Sequence, residues 1–193
     1  MKTKWTTENI PSQAGRRAVI TGANSGIGFE AALALTHQGA ELILPARTQG
    51  KADDAAARYA QSKLADLIFS LELQRRLKAV GSPILSTAAH PGYAVTNLQA
   101  DHLPPGLKIL ITTMKPFLSQ DAAHGALPTL YAAVAPEAVA GGYYGPDGIA
   151  ELKGYPTSVP VPKNALDETV AKRLWVESER LTHVTFGSLS NVA

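Results

Sequence analysis

The sequence predicts an α/β fold with a doubly wound parallel sheet and helices on both faces. Three observations support this prediction: a short apolar run that stops at a glycine-rich turn, a helical segment directly after the turn, and a second apolar run after the helix. Short apolar runs bounded by turns are typical of buried parallel strands. The three segments form a strand–helix–strand unit, and alternation of this kind indicates a parallel sheet.

The first elements follow from local residue types. A strand is predicted over residues 17–21, because the apolar run ends abruptly at the glycine-rich turn. A helix is predicted over residues 29–37, where Leu and Ala are frequent, and Gly39 lies where a helix C-terminal glycine belongs. A second strand is predicted over residues 41–44, since Pro45 can close a strand but cannot lie inside it.

The remaining sequence continues the alternation of helices and strands. The further predicted elements are helices over residues 51–77, 119–134 and 164–182, a strand over 83–90, a short strand within 142–148, and a loop with a short apolar helix over 103–116. The last helix has an apolar stripe, formed by Leu166, Val170, Leu174 and Leu181 with Trp175 beside it. A chain of this length predicts one domain.

Composition and charge exclude several classes of function. With 18 Lys and Arg residues against 16 Asp and Glu, the net charge is only +2, so nucleic acid is not predicted as a partner. The absence of Cys excludes disulfides and Cys-ligated zinc, and the five His lack the close spacing of a metal site, so no metal is predicted. No apolar run reaches about 20 residues, so no membrane span is predicted. The first residues lack a signal-peptide core, and we expect a soluble, cytoplasmic protein.

The glycine-rich turn, residues 21–28, reads Thr-Gly-Ala-Asn-Ser-Gly-Ile-Gly. Its place between a strand and a helix predicts nucleotide binding, because glycines allow a sharp turn and the close approach of a pyrophosphate. The following helix offers free N–H groups and a positive dipole end to phosphates. The predicted cofactor-binding residues are Gly22, Asn24, Ser25, Gly26, Ile27 and Gly28. The alternative is a structural tight turn. A phosphate-binding loop of the nucleoside-triphosphatase type is a weaker alternative, because it needs Gly-Lys followed by Ser or Thr, and the sequence here is Gly28-Phe-Glu.

Arg47 favours NADP(H) over NAD(H) as the cofactor. Dinucleotide folds usually place an acidic residue after the second strand, where it binds the ribose 2′-hydroxyl. Here residues 45–48 read Pro-Ala-Arg-Thr, without a carboxylate. A guanidinium suits a 2′-phosphate, through paired charge-assisted hydrogen bonds. The alternative is that Arg47 is an ordinary solvated side chain.

Tyr59 and Lys63 are four residues apart in a predicted helix, so they lie on one helix face. A free Tyr has a pKa of about 10, too high for easy proton transfer near neutrality, and a nearby ammonium lowers that pKa. Such a Tyr can donate a proton to a carbonyl oxygen while hydride reaches the carbon. We therefore predict Tyr59 and Lys63 as catalytic residues, with Lys63 also binding the nicotinamide ribose. The alternative is a surface pair.

These motifs together resemble the short-chain dehydrogenase/reductase family. The family signatures, Thr-Gly-x-x-x-Gly-x-Gly and Tyr-x-x-x-Lys, match residues 21–28 and 59–63. Residues 59–77 look like the branch that contains retinol dehydrogenases and WW-domain oxidoreductases. The resemblance implies a Rossmann-type fold and a nicotinamide-dependent oxidoreductase.

The resemblance also implies a second cofactor contact. Residues 88–92 and 96–98 match the loop that lies beside the nicotinamide in this branch. Pro91, Gly92 and Thr96 would contact the cofactor there. His90 is interpreted as a strand-end residue.

The interval between Arg47 and Tyr59 is too short for this fold. Only 11 residues, 48–58, lie there, whereas a parallel crossover alone needs about a dozen or more. In the family this interval holds several strands, an Asn-Asn-Ala-Gly segment and the catalytic Ser. We therefore predict a Rossmann-type dinucleotide-binding domain over residues 1–193, in blocks 1–58 and 59–193, with its central strands missing and its sheet in two pieces. Either residues were omitted from the sequence or the chain is a truncated product.

The leading functional prediction is hydride transfer between NADP(H) and a carbonyl or secondary alcohol, with Tyr59 as the acid/base. The loops 103–116 and 142–156 are predicted to cover an apolar small-molecule substrate, since they follow the carboxyl ends of later strands. The alternative is a catalytically inactive family member that binds a nucleotide or a partner, because losing a donor such as the Ser typically costs ~100- to 1,000-fold in rate. The substrate and the oligomeric state stay open.

Overall fold

A computed structural model describes residues 4–23, 25–44, 55–92 and 120–190. In the helix that begins at Ala55, side chains are described from Lys63 onward. The chain divides into two compact units. Unit 1 comprises Met1–Thr48, Ala89–Glu137 and Tyr144–Ser158, and unit 2 comprises Gln49–Ala88, Ala138–Tyr143 and Val159–Ala193.

The predicted strand–helix–strand unit is present in unit 1. Strands β1 (Arg17–Val19) and β2 (Glu41–Ile43) pair in parallel. Helix α1 (Gly26–His37) connects them and begins earlier than residue 29, the predicted start. Gly26 begins the helix with a φ of +59°, a conformation that favours glycine, so Gly26 and Gly28 lie in the first helical turn, whereas Gly22 precedes it.

Helix α3 (Ala122–Val134) packs against α1 in unit 1. Its N-cap is Asp121, whose carboxylate accepts a 2.8 Å hydrogen bond from the N–H of His124. This confirms the helix predicted over residues 119–134. The buried apolar cluster between the two helices consists of Ile10, Ala31, Leu35, Ala126 and Leu130.

A second sheet contains β3 (Ala88–Ala89), β4 (Tyr143–Pro146) and β5 (Pro156–Ser158), in the order β3-β4-β5. Strands β4 and β5 are antiparallel. Strand β3 runs parallel to β4, because successive hydrogen bonds advance in the same direction along both strands. The sheet is therefore mixed rather than purely parallel.

The strand predicted over residues 83–90 is much shorter, because only Ala88–Ala89 is extended and paired. The carbonyl oxygen of Ser86 accepts from the N–H of Gly141, but its own N–H donates to Oε1 of Gln74, a helix side chain, at 2.7 Å. Ile84 and Leu85 are 61% and 57% exposed. This apolar run is therefore not a buried strand.

The two sheets are separate in the described part of the chain, as predicted for a fold without its central strands. The pair β1-β2 shares no hydrogen-bonded neighbour with β3-β4-β5. Val19 on β1 and Ile43 on β2 are 64% and 45% exposed. Such side chains are covered on both faces in a complete parallel sheet.

Unit 2 is built on helix α2 (Ala55–Ala79) and helix α4 (Glu168–Thr182), which pack against each other. Trp175 on α4 is 1% exposed and stacks on Phe69 with ring centroids 5.1 Å apart. Among the helices in the described ranges, none is long and apolar enough to cross a membrane. Short 3₁₀ helices lie at Thr7–Asn9, Ile149–Glu151, Lys163–Ala165 and Gly187–Leu189.

The apolar stripe predicted for the last helix is confirmed at Leu174, which packs against the core of unit 2, and is wrong at its other three positions. Leu166, Val170 and Leu181 are 59%, 46% and 66% exposed, and the helix begins at Glu168 rather than at residue 164. The buried positions of the helix are Ala171 and Trp175. The large Trp175 ring, stacked in the core of unit 2, determines which face is buried.

Candidate functional site

The glycine-rich turn joins β1 to α1 in unit 1, as predicted. Gly22 and Gly26 have φ values of +70° and +59°, conformations that other residues rarely adopt. A Cβ on Gly28 would overlap the carbonyl oxygen of Gly22, so the turn folds back closely onto the first helical turn. Glycine is therefore required at positions 22 and 26 by the backbone angles, and at position 28 by the close approach of the Gly22 carbonyl.

The N-terminus of α1 has the features of an anion site. Ser25 is its N-cap, and the Ser25 side chain makes no capping hydrogen bond. The first-turn N–H groups have no partners within the helix, and the first turn contains no acidic residue to offset the positive end of the dipole. Gly22 and Ser25 are exposed, and Gly26, Ile27 and Gly28 are half-buried. The turn is therefore open to a phosphate-bearing ligand.

Three predicted cofactor residues, Asn24, Arg47 and Thr96, lie outside the described residues. The loop 103–116, predicted to cover the substrate, lies outside them as well. Their roles stay predictions.

Tyr59 and Lys63 lie on α2, in unit 2. The helix runs without interruption through both positions, so the four-residue spacing places them on one face. Nζ of Lys63 is 2.7 Å from Oδ2 of Asp66, and the two side chains are 57% and 67% exposed. Sequence reasoning missed Asp66, although a Lys and an Asp three residues apart in a helix are a known pairing signal.

The Pro91–Gly92 turn follows β3 in unit 1 and is enclosed by backbone. Gly92 has a φ of +64°. A Cβ there would lie 2.5 Å from the carbonyl oxygen of Leu152 and 2.8 Å from that of Glu151. Glycine is therefore required at this position for two independent reasons.

His90 follows β3 directly, which agrees with its interpretation as a strand-end residue. Its Nε2 lies 2.9 Å from Oε2 of Glu151. Its Nδ1 accepts a 3.3 Å hydrogen bond from the N–H of Gly92. The ring lies so close to Gly145 that a Cβ on that glycine would overlap Nε2. Sequence reasoning missed these contacts, because Glu151 is 61 residues from His90 in the chain.

A cavity of about 770 Å³ opens in unit 1 beside this turn. Its lining includes Ile149, Leu152 and Tyr155 from the segment after β4, together with Gln120 and His124 from the start of α3. Its volume is within the usual range for small-molecule sites, roughly 300–1,000 Å³. Its wall combines a few apolar and aromatic side chains with a larger number of polar and charged ones.

Charged groups also line this cavity. Nζ of Lys4 lies 4.6 Å from the ring centroid of Tyr155. A hydrogen bond from the backbone N–H of His124 is the main cause that lowers the pKa of Asp121 below its ordinary value. A hydrogen bond with the His124 side chain is the next largest cause. The carboxylate of Asp121, one of the lining residues, therefore stays ionised near neutral pH.

Unit 2 contains a buried ion pair. Nε of Arg76 is 2.6 Å from Oε1 of Glu72, and the two side chains are 3% and 1% exposed. Burial by itself would raise the pKa of Glu72, but hydrogen bonds from Arg75 and Arg76 outweigh it and lower that pKa. Nη1 of Arg76 also donates to the carbonyl oxygen of Leu189 at 2.6 Å. The pair therefore joins α2 to the segment after α4.

Comparison with known proteins identifies relatives of this sequence. The family model described as short chain dehydrogenase matches residues 16–71. Human retinol dehydrogenase 13 is 41% identical over 130 residues, which are 65% of this chain and 36% of that protein. Mouse polyprenol dehydrogenase is 37% identical over 143 residues, 71% of this chain and 38% of that protein. A short chain dehydrogenase/reductase of Macrophomina phaseolina is 38% identical over 130 residues, 64% of this chain and 58% of that protein. The chain thus spans from about one third to three fifths of the length of these relatives.

The fold is also similar to that of a solved structure over almost the whole chain. The crystal structure of an uncharacterised protein from Mycobacterium paratuberculosis superposes with a TM-score of 0.70 at 24% sequence identity. The match covers 95% of this chain and 99% of that one. This likeness concerns the fold alone. Together with the family match, it confirms the predicted Rossmann-type α/β class, in truncated form.

Proposed function

Because the chain belongs to the short-chain dehydrogenase/reductase family, in its retinol dehydrogenase-like branch, we propose that it transfers a hydride between NADP(H) and a carbonyl or alcohol. Family members are oxidoreductases that normally bind NAD or NADP, in oxidised or reduced form. The observation that carries the proposal is the glycine-rich turn, where Gly28 fits only without a Cβ and the N-terminus of α1 is open to a phosphate. In this proposal residues 1–193 act as one dinucleotide-binding domain.

The turn binds the pyrophosphate of the cofactor through backbone groups. The predicted contacts come from Gly22, Asn24, Ser25, Gly26, Ile27 and Gly28. Backbone N–H groups at a helix N-terminus bind phosphate through hydrogen bonds and through the helix dipole. Because these are backbone contacts, the turn contributes affinity without distinguishing NAD from NADP.

Arg47 supplies that distinction. The second strand of a dinucleotide fold ends beside the adenosine ribose, where a carboxylate selects NAD and a guanidinium accommodates the 2′-phosphate. Residues 45–48 offer an arginine and no carboxylate. We therefore propose NADP(H) as the cofactor, with Pro91, Gly92 and Thr96 at its nicotinamide end.

Tyr59 supplies the proton and Lys63 adjusts its acidity. In the reducing direction, hydride moves from the reduced nicotinamide to the carbonyl carbon, and the phenol proton of Tyr59 moves to the oxygen. The ammonium of Lys63 favours the phenolate and so lowers the pKa of Tyr59. The segment 142–156, predicted to cover an apolar substrate, contributes Ile149, Leu152 and Tyr155 to the cavity of unit 1, beside charged residues such as Asp147 and Lys153.

A second candidate function is nucleotide binding without turnover. Two observations favour it: the sheet is in two pieces within the described residues, and Lys63 is already paired with Asp66 in an exposed position. The family's catalytic Ser, a hydrogen-bond donor to the substrate oxygen, also has no counterpart in the sequence. Loss of such a donor typically lowers the rate by ~100- to 1,000-fold.

A turnover assay separates the two functions. The intact chain is incubated with NADPH and a panel of aldehydes and ketones, and oxidation of NADPH is followed by absorbance. The first proposal predicts slow turnover that Tyr59→Phe abolishes, whereas the matched control Tyr131→Phe, in the packing of unit 1, leaves it unchanged. Saturable NADPH binding with no turnover of any substrate would support the second function instead.

A further inference from the structure

The pair His90–Glu151 touches the Pro91–Gly92 turn but has no role in the function proposed above. Nε2 of His90 is 2.9 Å from Oε2 of Glu151, and the two side chains are 26% and 40% exposed. Partial burial strengthens a charge-assisted hydrogen bond relative to one at an open surface.

The neighbouring hydrogen bond determines the tautomer of His90. A ring nitrogen that accepts a hydrogen bond from an N–H carries no proton itself. The N–H of Gly92 donates to Nδ1, so the ring proton lies on Nε2 and is donated to the carboxylate of Glu151. The imidazole thus connects a carboxylate on one segment to the backbone amide of the turn.

The surrounding backbone is shaped around this ring. A Cβ on Gly145 would overlap Nε2, so strand β4 accommodates the imidazole only through a glycine. Ala150 and Glu151 have φ values of +51° and +56°, in the left-handed region that non-glycine residues seldom occupy. Such strain persists where surrounding contacts hold it, and the hydrogen bond to His90 is one of them.

Gln120 holds the other side of the same turn. Its Nε2 donates to the carbonyl oxygen of Pro91 at 2.7 Å, and its Oε1 accepts from the N–H of Gly154 at 3.1 Å. Both ends of the amide are therefore engaged, which fixes its orientation. The turn is held at the Pro91 carbonyl by one side chain and at the Gly92 amide by another.

We propose that His90, Glu151 and Gln120 are positioning residues, which set the Pro91–Gly92 turn in the conformation that receives the nicotinamide. This inference rests on the proposed function, because it assigns the turn to the cofactor. In this inference His90 has a role in addition to ending strand β3. Glu151 acts through its hydrogen bond with His90 and does not contact the cofactor.

The first test is an NADPH titration of variants at Glu151, monitored by NADPH fluorescence. Glu151→Ala removes the acceptor for Nε2–H and is expected to weaken NADPH binding roughly tenfold. Glu151→Gln retains an acceptor oxygen and is expected to stay within about twofold of the native chain. The control Glu137→Ala removes an exposed carboxylate elsewhere in unit 1 and leaves the affinity unchanged.

A second variant tests the same pair without altering either side chain. Gly145→Ala displaces the ring of His90 through the added Cβ and is expected to weaken NADPH binding as much as Glu151→Ala does. Native-like affinity in both variants, with a folded chain in thermal melts, would overturn the inference and leave the proposed function standing.

The third test does not depend on cofactor binding. Nitrogen NMR of His90 is expected to show an unprotonated Nδ1 and a protonated Nε2, and the Gly92 amide is expected to lose exchange protection in Glu151→Ala but not in Glu151→Gln. A protonated Nδ1, or unchanged protection in both variants, would contradict the inference. If the native chain binds no NADPH, the proposed function fails, and these signals still decide whether the residues hold the turn.

Discussion

In unit 1 the glycine-rich turn is fixed by its own backbone, whereas in unit 2 the exposed Lys63 on α2 pairs with the side chain of Asp66. The turn depends on positive φ angles and on the approach of Gly28 to Gly22. The ammonium of Lys63 instead pairs with Asp66, an exposed interaction that contributes at most about 1 kcal/mol.

This difference indicates that cofactor binding and proton transfer differ in how well they tolerate truncation. A backbone phosphate site needs only its strand, turn and helix, all of which unit 1 contains. Proton transfer needs several side chains held in register, and the donor Ser of the family has no counterpart here. We therefore expect cofactor binding to survive better than turnover, and the predictions below test that contrast.

The largest expected effect is on the anchoring of α2. Glu72→Gln leaves the guanidinium of Arg76 buried without its carboxylate and is expected to destabilise the chain by about 3–5 kcal/mol. Thermal unfolding measures this loss, and hydrogen exchange locates it in α2 rather than in α1. The matched control Glu177→Gln breaks an exposed pair with Arg180 and is expected to cost under ~1 kcal/mol. Equal effects from both variants would contradict the anchoring of α2 by this buried pair.

The second effect is on cofactor affinity in unit 1. In Gly28→Ala the added Cβ meets the Gly22 carbonyl, so the turn must open, and we expect a loss of NADPH affinity of about a hundredfold, or ~2.7 kcal/mol. Fluorescence titration measures it. The control Leu33→Ala alters a side chain of the same helix that is 44% exposed and leaves the affinity unchanged. Native affinity in Gly28→Ala would show that phosphate does not bind at this turn.

The third effect separates the two cofactors. Arg47→Ala removes the proposed partner of the 2′-phosphate, and the preference for NADPH over NADH is expected to fall about tenfold, or ~1.4 kcal/mol. Parallel titrations with both nucleotides measure the ratio. The control Arg17→Ala removes an exposed arginine that pairs with Glu41, and it leaves the ratio unchanged.

The smallest effect concerns the N-terminus of α3. Asp121→Ala is expected to cost about 1 kcal/mol, because the capping carboxylate is lost, and Asp121→Asn is expected to retain most of the stability. The pKa of Asp121 in the folded chain lies below its ordinary value of 3.8, so the stability from its charge is present above that value and is lost as pH falls through the folded pKa. Acid unfolding curves for the native chain and for Asp121→Asn measure this. Identical curves would contradict a role for the charge.

The sequence allowed the local features of the fold and of the candidate site to be predicted. The turn at Gly22–Gly28 and the helix predicted over residues 119–134 follow from residue types a few positions apart, where local chemistry determines the structure. The division of the sheet into two pieces was predicted from the short interval between Arg47 and Tyr59, and the described residues show it.

The features that could not be predicted join distant segments. Arg76 donates to Leu189, 113 residues away, and Gln120 bridges Pro91 to Gly154. Such contacts depend on how elements pack, and no local spacing signals them. The buried face of α4 was mispredicted for the same reason, because Trp175 finds its partner Phe69 on another helix.

The most direct test of the account is titration of the intact chain with NADPH, monitored by NADPH fluorescence, with a thermal melt of the same sample. We predict saturable binding at one site per chain, with NADH roughly tenfold weaker. A chain that melts cooperatively yet shows no saturable binding of either nucleotide would contradict the assignment of the glycine-rich turn as a cofactor site.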